Sequence, residues 1–409
     1  MSRFLFVVPP MTGHVNPTVA VGAELSARGH EVAWAGHPGT LKLLLADGAR
    51  VFAVIDDALM TRLRKERKHW LGLRGAAALK FFWEDFLIPL ADATLPDTGA
   101  AVANFAPDVV VADQQALAGA VAARRAGVAW ATSASTSSEL VRPLAAMPKV
   151  EEWITGLMTV FQRDNGVCDP VDLRFSDRLV LSYTTPALLG DISGVGERCV
   201  FTGPALAGRP ERASFPWHWL DQKRTQLLVS LGTINGPAGQ RFFRVVVDAL
   251  ADLGDELQAV IAAPPLDPLP GGCAPGAWAL GGRALSDGAL GVPPHILFAG
   301  DVPQLALLPR MSAVVSHGGH NTVCESLAHG LPLIVTPIRD DQPLVAQQVA
   351  DAGAGIRLRF GRLRAEALRE AVRAVLDDPA YRTAAGRIRD SFAAAGGAVT
   401  AADHLEKLL

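Results

Sequence analysis

An unbroken apolar run, a loop, and a longer stretch of helical periodicity follow one another repeatedly along this chain. Continuous apolar runs mark strands buried on both faces, and strands separated by helices pair in parallel under a cover of helices. The first series places strands at 4–9 (FLFVVP), 31–36, 50–55, 108–112 and 128–132. Asn16-Pro17 reads as a helix start, with Asn as N-cap and Pro at the first helical position, and Gly29 closes that helix. The second series places strands at 226–231, 258–262, 295–299, 313–316, 333–336 and 356–359, with helices beginning near Gly239, Pro303, Asn321 and Gln342.

Two series imply two α/β domains, and 409 residues are more than one core usually holds. The segment 202–221 (TGPALAGRPERASFPWHWLD), rich in proline and tryptophan, reads as the linker. The expected division is 1–205 and 223–390 around a linker at 206–222, with a C-terminal helix at 391–409 packing back toward the first domain. The two doubly wound domains are expected to face each other across a cleft.

Composition excludes several classes. A net charge of -3 offers no basic face for nucleic acid. The basic run 62–69 (RLRKERKH) reads as a solvated helix face. The opening apolar run is stopped by two prolines before it could serve as a signal core, and no apolar stretch is long enough to span a bilayer. A cytoplasmic protein without stable membrane insertion is expected, as a monomer or weak homodimer. Cys168, Cys199, Cys273 and Cys324 show no paired spacing and read as buried free thiols.

Ligands of open parallel sheets bind beyond the carboxyl ends of the strands, where the strand order reverses. In the usual order that point lies between the first and fourth strands, so His14 and Asp113 should meet there despite their distance in sequence. The most specific segment is 316–342, SHGGHNTVCESLAHGLPLIVTPIRDDQ. It leaves an apolar strand, turns through Gly318-Gly319 and enters a helix read as capped by Asn321. Such a turn lets backbone N–H groups approach an anion, and the helix end adds about half a positive charge. His317 and the Thr322 hydroxyl can each hold a phosphate oxygen. Glu325, one turn on, can accept both hydroxyls of a ribose. The spacing suits a nucleoside diphosphate.

This segment resembles the donor signature of the UDP-glycosyltransferase superfamily, whose members share the two-domain GT-B fold. MTGHVNP, PDVVVAD, VSLGT and DVPQLALLP resemble further stretches of that family, so the likeness spans nearly the whole chain and is nearest its bacterial macrolide and natural-product branch. The resemblance implies His14 as base and Asp113 as the carboxylate that orients it. It implies Gly13, Gly232, Thr233, His317, Gly318, Gly319, Asn321 and Thr322 as donor contacts near the diphosphate, and Glu325 as the ribose contact. Asp341 and Gln342 match the pair that reads sugar hydroxyls. Where plant members stack a tryptophan on the base this chain has Asp301-Val302, so Val302 and backbone groups take that place. Glu325 favours a UDP-sugar over a dTDP-sugar, because a deoxyribose lacks the 2′-hydroxyl.

The implied reaction is an inverting transfer of a hexose to a hydroxyl of a small, largely apolar acceptor. A base with an unperturbed pKa of about 6.5 suits removal of the hydroxyl proton. No Asp-x-Asp pattern occurs, so neither metal nor cofactor is expected beyond the sugar nucleotide. Trp70, Phe81, Phe82, Trp83, Phe86, Trp153, Met158 and Phe161 are either core or the lining of the acceptor site. Two other functions remain open at this point, a sugar-nucleotide epimerase of the same fold and a non-catalytic subunit that only binds the donor. A dinucleotide oxidoreductase is disfavoured because no G-x-G-x-x-G follows the first strand.

Overall fold

The computed structural model describes residues 1–210, 213–232, 239–263, 279–280 and 292–409, the pair 279–280 as main chain only. The chain forms two compact units. The first comprises Met1–Thr185, Asp191–Pro210 and Ala395–Leu409; the second comprises Pro186–Gly190 and Glu211–Ala394.

The first unit is built on β1 (Arg3–Val7), β2 (Glu31–Gly36), β3 (Arg50–Ala53), β4 (Val109–Asp113), β5 (Ala129–Ala134), β6 (Val180–Ser182) and β7 (Cys199–Phe201). They form one parallel sheet in the order β3-β2-β1-β4-β5-β6-β7. Alternation along β1 shows why the sequence reads as a continuous apolar run. Phe4 and Phe6 pack with Trp34 and Leu181 on one face, and Leu5 and Val7 with Trp83 and Leu117 on the other. The helix Gly397–Glu406 packs in this unit, where Arg28 bridges Glu24, Asp403 and Glu406.

The second unit repeats the plan with β8 (Thr225–Ser230), β9 (Leu257–Ala262), β10 (Ala279–Leu280), β11 (Ile296–Ala299), β12 (Ala313–Ser316), β13 (Leu333–Val335) and β14 (Gly355–Arg357). Their order is β10-β11-β9-β8-β12-β13-β14. Leu228 and Val314 face one core cluster, Leu227, Val229 and Val315 the other. In each unit the order therefore reverses beside the first strand, between β1 and β4 and between β8 and β12.

Several expectations need correction. The sheet of the second unit is not wholly parallel, because β10 pairs with β11 antiparallel at its edge. The short strands β6 and β7 extend the first sheet beyond the expected five; runs of three residues carry too little pattern to read. The first helix begins at Thr12 rather than at Pro17, and Pro17 lies inside it. A proline one turn in gives up a single helical bond, while His14 and Val15 both donate to the Met11 carbonyl, at 3.0 and 3.2 Å, and close the turn ahead of it. Gly29 does follow the end of this helix, with φ of 87°. Cys168 is exposed, in the loop after helix Pro148–Asp164; Cys324 is buried, and burial pushes the Cys199 thiol up to about 12. Cys273 lies outside the described residues. The run 62–69 sits on helix Asp57–Trp70 with Arg62, Arg64, Lys65 and Lys68 exposed.

Candidate active site

Within the first unit, the parallel pairing of β1 with β4 sets Val7 beside Ala112. Past β1 the chain makes a short loop and enters helix Thr12–Ala27 with His14 in its first turn. Asp113 is the last residue of β4. The two therefore converge at the carboxyl edge of the sheet, with His14 Nδ1 2.9 Å from Asp113 Oδ1. The Asp113 side chain is fully buried, whereas that of His14 keeps 13% of its surface exposed. Because a carboxylate only accepts, the ring proton sits on Nδ1 and the lone pair on Nε2. Asp113 Oδ1 also accepts from the Gln115 N–H at 2.9 Å. That bond ties the carboxylate to the turn after the strand; the helix Leu117–Ala126 that follows has no side-chain cap.

Sequence reasoning missed one residue of this group. Ser135 follows β5, donates its hydroxyl to Asp113 Oδ2 at 2.5 Å, and holds Oγ 2.8 Å from His14 Nδ1. In sequence it sits in a serine-rich run, TSASTSS, that reads as ordinary loop. Only its place just past the strand beside β4 could have singled it out.

Within the second unit, the loops after β8 and β12 lie side by side in the same way. The His317 ring packs against both. A Cβ on Gly232 would lie 2.7 Å from its Cε1, and one on Gly319 would collide with its Nε2. Gly232 also needs its glycine for a φ of 66°. His317 is 7% exposed, and burial pushes its pKa down to about 4, partly countered by a bond to the Ser230 backbone. The ring is thus neutral at neutral pH, and its buried Nδ1 has no partner among the described residues.

Gly318 donates its N–H to Ser316 Oγ at 3.1 Å, and Gly319 is the N-cap of helix His320–Ala328. The expected cap, Asn321, is instead inside the first turn. Gly319 takes the extended conformation a cap needs (φ −61°, ψ 131°) without any side-chain bond. Buried Thr322 lies in the same turn.

Glu325 is 3% exposed and accepts from Gln304 Nε2 at 2.5 Å. Gln304 was the second omission. It stands two residues after Val302, which packs half-buried against the core of this unit. A buried carboxylate requires a donor, and an amide in the neighbouring motif was the available signal. Gln342 is buried, and its carbonyl oxygen accepts from the N–H groups of Ile338 and Arg339 at 2.9 and 3.1 Å. Asp341 occupies the N-cap position of helix Gln342–Asp351 without a side-chain cap bond. Gly13 is in the first turn with His14; Thr233 lies outside the described residues.

The aromatic residues divide. Trp83, Met158 and Phe161 are buried in the first unit's core, and Phe81 is buried against the His69 ring. Trp70, Phe82, Phe86 and Trp153 are half-buried at its margin. Phe82 stacks on Trp70 and on Phe86, each at a ring separation of 6.0 Å. Phe81–Leu87 forms a widened π-helical turn between two α-helices, a feature that recurs at functional sites. Among the described residues no group of three or more His, Cys, Asp or Glu side chains is placed to hold a metal, and no helix is long and apolar enough to cross a membrane.

Two doubly wound sheets, one presenting a histidine–carboxylate pair and the other a glycine-lined helix end, define a GT-B glycosyltransferase. A family signature described as the C-terminal domain of erythromycin biosynthesis protein CIII-like proteins matches residues 281–408. The 4'-demethylrebeccamycin synthase of Lentzea aerocolonigenes is 30% identical, with 100% of both chains covered. The demethyllactenocin mycarosyltransferase of Streptomyces fradiae is 28% identical over 100% of this chain and 87% of the relative. The solved glycosyltransferase of kitacinnamycin superposes with a TM-score of 0.75 at 26% identity, covering 100% of this chain and 99% of that one. The chain belongs to the UDP-glycosyltransferase superfamily, in its macrolide and natural-product branch.

Proposed function

We propose that the protein transfers a hexose, with inversion, from a nucleoside diphosphate sugar to a hydroxyl of a small, largely apolar natural product, using UDP-sugars ahead of dTDP-sugars. The observation that carries this reading is the 2.9 Å contact of His14 Nδ1 with Asp113 Oδ1, which leaves the lone pair of the ring on Nε2. Nε2 takes the acceptor proton as the acceptor oxygen attacks the anomeric carbon. The bond from that carbon to the phosphate oxygen breaks, and the diphosphate leaves with the electron pair. Attack from the face opposite the leaving group inverts the centre. Asp113 holds the ring and stabilises the imidazolium.

The diphosphate is assigned to the loop Gly318-Gly319, the N-terminal turn with Asn321 and Thr322, His317, and Gly232 with Thr233; Gly13 is assigned to the donor as well. These donors meet charge that grows in the transition state, where other transferases use a divalent cation. Glu325 takes the ribose, Val302 the base, and Asp341 with the Gln342 NH2 the sugar. The stacked Trp70, Phe82 and Phe86 offer an apolar face for the acceptor, and the relatives' names support a natural product as its class.

The test is His14→Ala. Transfer should fall about 10²- to 10⁴-fold while UDP binding, read by calorimetry, stays as in the wild type. Transfer at the wild-type rate would remove His14 as base. A product that keeps the donor's anomeric configuration, read by NMR, would remove the single displacement.

A further inference from the structure

We propose that Ser135 is a positioning residue for the base, gripping the Nδ1 side of His14 together with Asp113. The proposal rests on the reading of His14 as base. Its geometry is set by the backbone. The parallel register of β4 and β5 places Asp113 beside Ser133. Immediately beyond the strand the Ser135 N–H donates to the Ser133 carbonyl at 3.1 Å, a three-residue turn that brings the serine side chain over the carboxylate. The Gln114 amide then clamps the next residue, donating to the Thr136 carbonyl at 3.2 Å and accepting from the Thr136 N–H at 3.3 Å. Ser135, 4% exposed, is held from both sides.

The proton count fixes what the hydroxyl does. Asp113 Oδ1 is occupied by His14 and Gln115, and Oδ2 takes the Ser135 hydroxyl at 2.5 Å. With its proton committed there, Oγ turns a lone pair toward His14 Nδ1 at 2.8 Å. The Nδ1–H therefore forks between Asp113 Oδ1 and Ser135 Oγ. One acceptor would leave the ring free to swing about a single bond; two acceptors fix both its plane and its tilt, and so the direction of Nε2. When Nε2 gains the acceptor proton, the new imidazolium faces a carboxylate and an oriented hydroxyl dipole. No proton leaves Ser135 in this step.

The experiment compares Ser135→Ala, Ser135→Thr, Asp113→Asn, the double variant carrying both Ser135→Ala and Asp113→Asn, and His14→Ala in the full chain. Transfer is measured with UDP-glucose and whichever small phenol or alcohol from a probe panel the wild type turns over fastest. UDP binding is followed by calorimetry, and the His14 ring nitrogens by ¹⁵N NMR. Ser135→Ala should lower kcat about ten- to a hundredfold, the size of one hydrogen bond to a charged group, with UDP affinity unchanged and the Nδ1 resonance moved. Ser135→Thr, which keeps the hydroxyl, should recover most of the rate. In the Asp113→Asn background the further loss should nearly vanish, since both residues act through one ring. A wild-type kcat in Ser135→Ala overturns the proposal. So does a loss that Thr does not recover and that UDP affinity shares, because that is a structural role. Should His14→Ala itself transfer at the wild-type rate, the reading of the base fails, which is a different result from a silent Ser135.

Discussion

The pairing of Glu325 with Gln304 predicts how sharply the protein separates ribose from deoxyribose. Glu325 is 3% exposed and one of its oxygens is held by Gln304 at 2.5 Å, so the carboxylate is presented in a fixed direction. A ribose offers it two hydroxyls and a 2′-deoxyribose one. Each hydroxyl–carboxylate bond is charge-assisted and contributes about 1.5–3 kcal/mol. The wild type should therefore bind UDP about 10- to 150-fold more tightly than 2′-deoxy-UDP, a comparison that keeps the base constant. Glu325→Ala should bring that ratio close to one. Gln304→Ala should lower it by less, because the carboxylate remains but is no longer aimed. Titration calorimetry of UDP, 2′-deoxy-UDP and dTDP against the three proteins reads the effect, with circular dichroism to confirm folding. Equal affinities in the wild type, or an equal loss for both nucleotides in Glu325→Ala, would refute the assignment of Glu325 to the ribose.

Acid stability should depend on His317. Its pKa is pushed down to about 4 in the folded chain, against about 6.5 when unfolded, so between those values the unfolded chain binds a proton that the folded chain does not. Stability is then complete above pH 6.5 and falls as the pH drops through that window, by up to about 3 kcal/mol; denaturant titrations of wild type and His317→Asn at pH 7 and 4.5 would show the same decline if this is wrong. For the acceptor, Phe82→Ala removes the middle ring of the stack with Trp70 and Phe86 and should raise acceptor KM about two- to tenfold with UDP affinity intact. An unchanged KM in the Trp70→Ala, Phe82→Ala double variant would return those rings to a purely packing role.

What could be read from the sequence follows from how each feature is encoded. Buried strand bodies are apolar runs, so 313–316 and 31–36, the latter entered through a half-buried Glu31, match the observed strands to the residue. Helix starts are encoded in side chains only when a side chain does the capping. At Met11 and Gly319 none does, and in both cases the nearest Asn reads as the cap in its place. The turn at 317–319 was legible because its residues are contiguous, whereas the packing of the His317 ring on Gly232 was not, because it joins two loops. Ser135 and Gln304 were not, because each matters only through a partner on another element, Asp113 in one case and Glu325 in the other. Glu325 could be assigned a ligand from the sequence, but the donor that steadies it could not.

On the proposed function, the two units meet opposite chemical demands at the same place in the same topology. In each, the loop after the first strand meets the end of the neighbouring strand where the order reverses, β1 against β4 and β8 against β12. A base needs an oriented lone pair, which backbone N–H groups cannot supply, so the first unit brings together side chains from one helix start and two strand ends, His14, Asp113 and Ser135, around a buried carboxylate. An anion needs many donors at close range, and side chains would obstruct them. The second unit accordingly removes side chains at Gly232, Gly318 and Gly319 and leaves one imidazole lodged between the loops. It follows that substitutions should fail differently in the two places. Isosteric changes that preserve volume but not hydrogen bonding are the damaging ones around His14, whereas around His317 the addition of a single methyl group is enough, because a Cβ on Gly232 or Gly319 would collide with the ring.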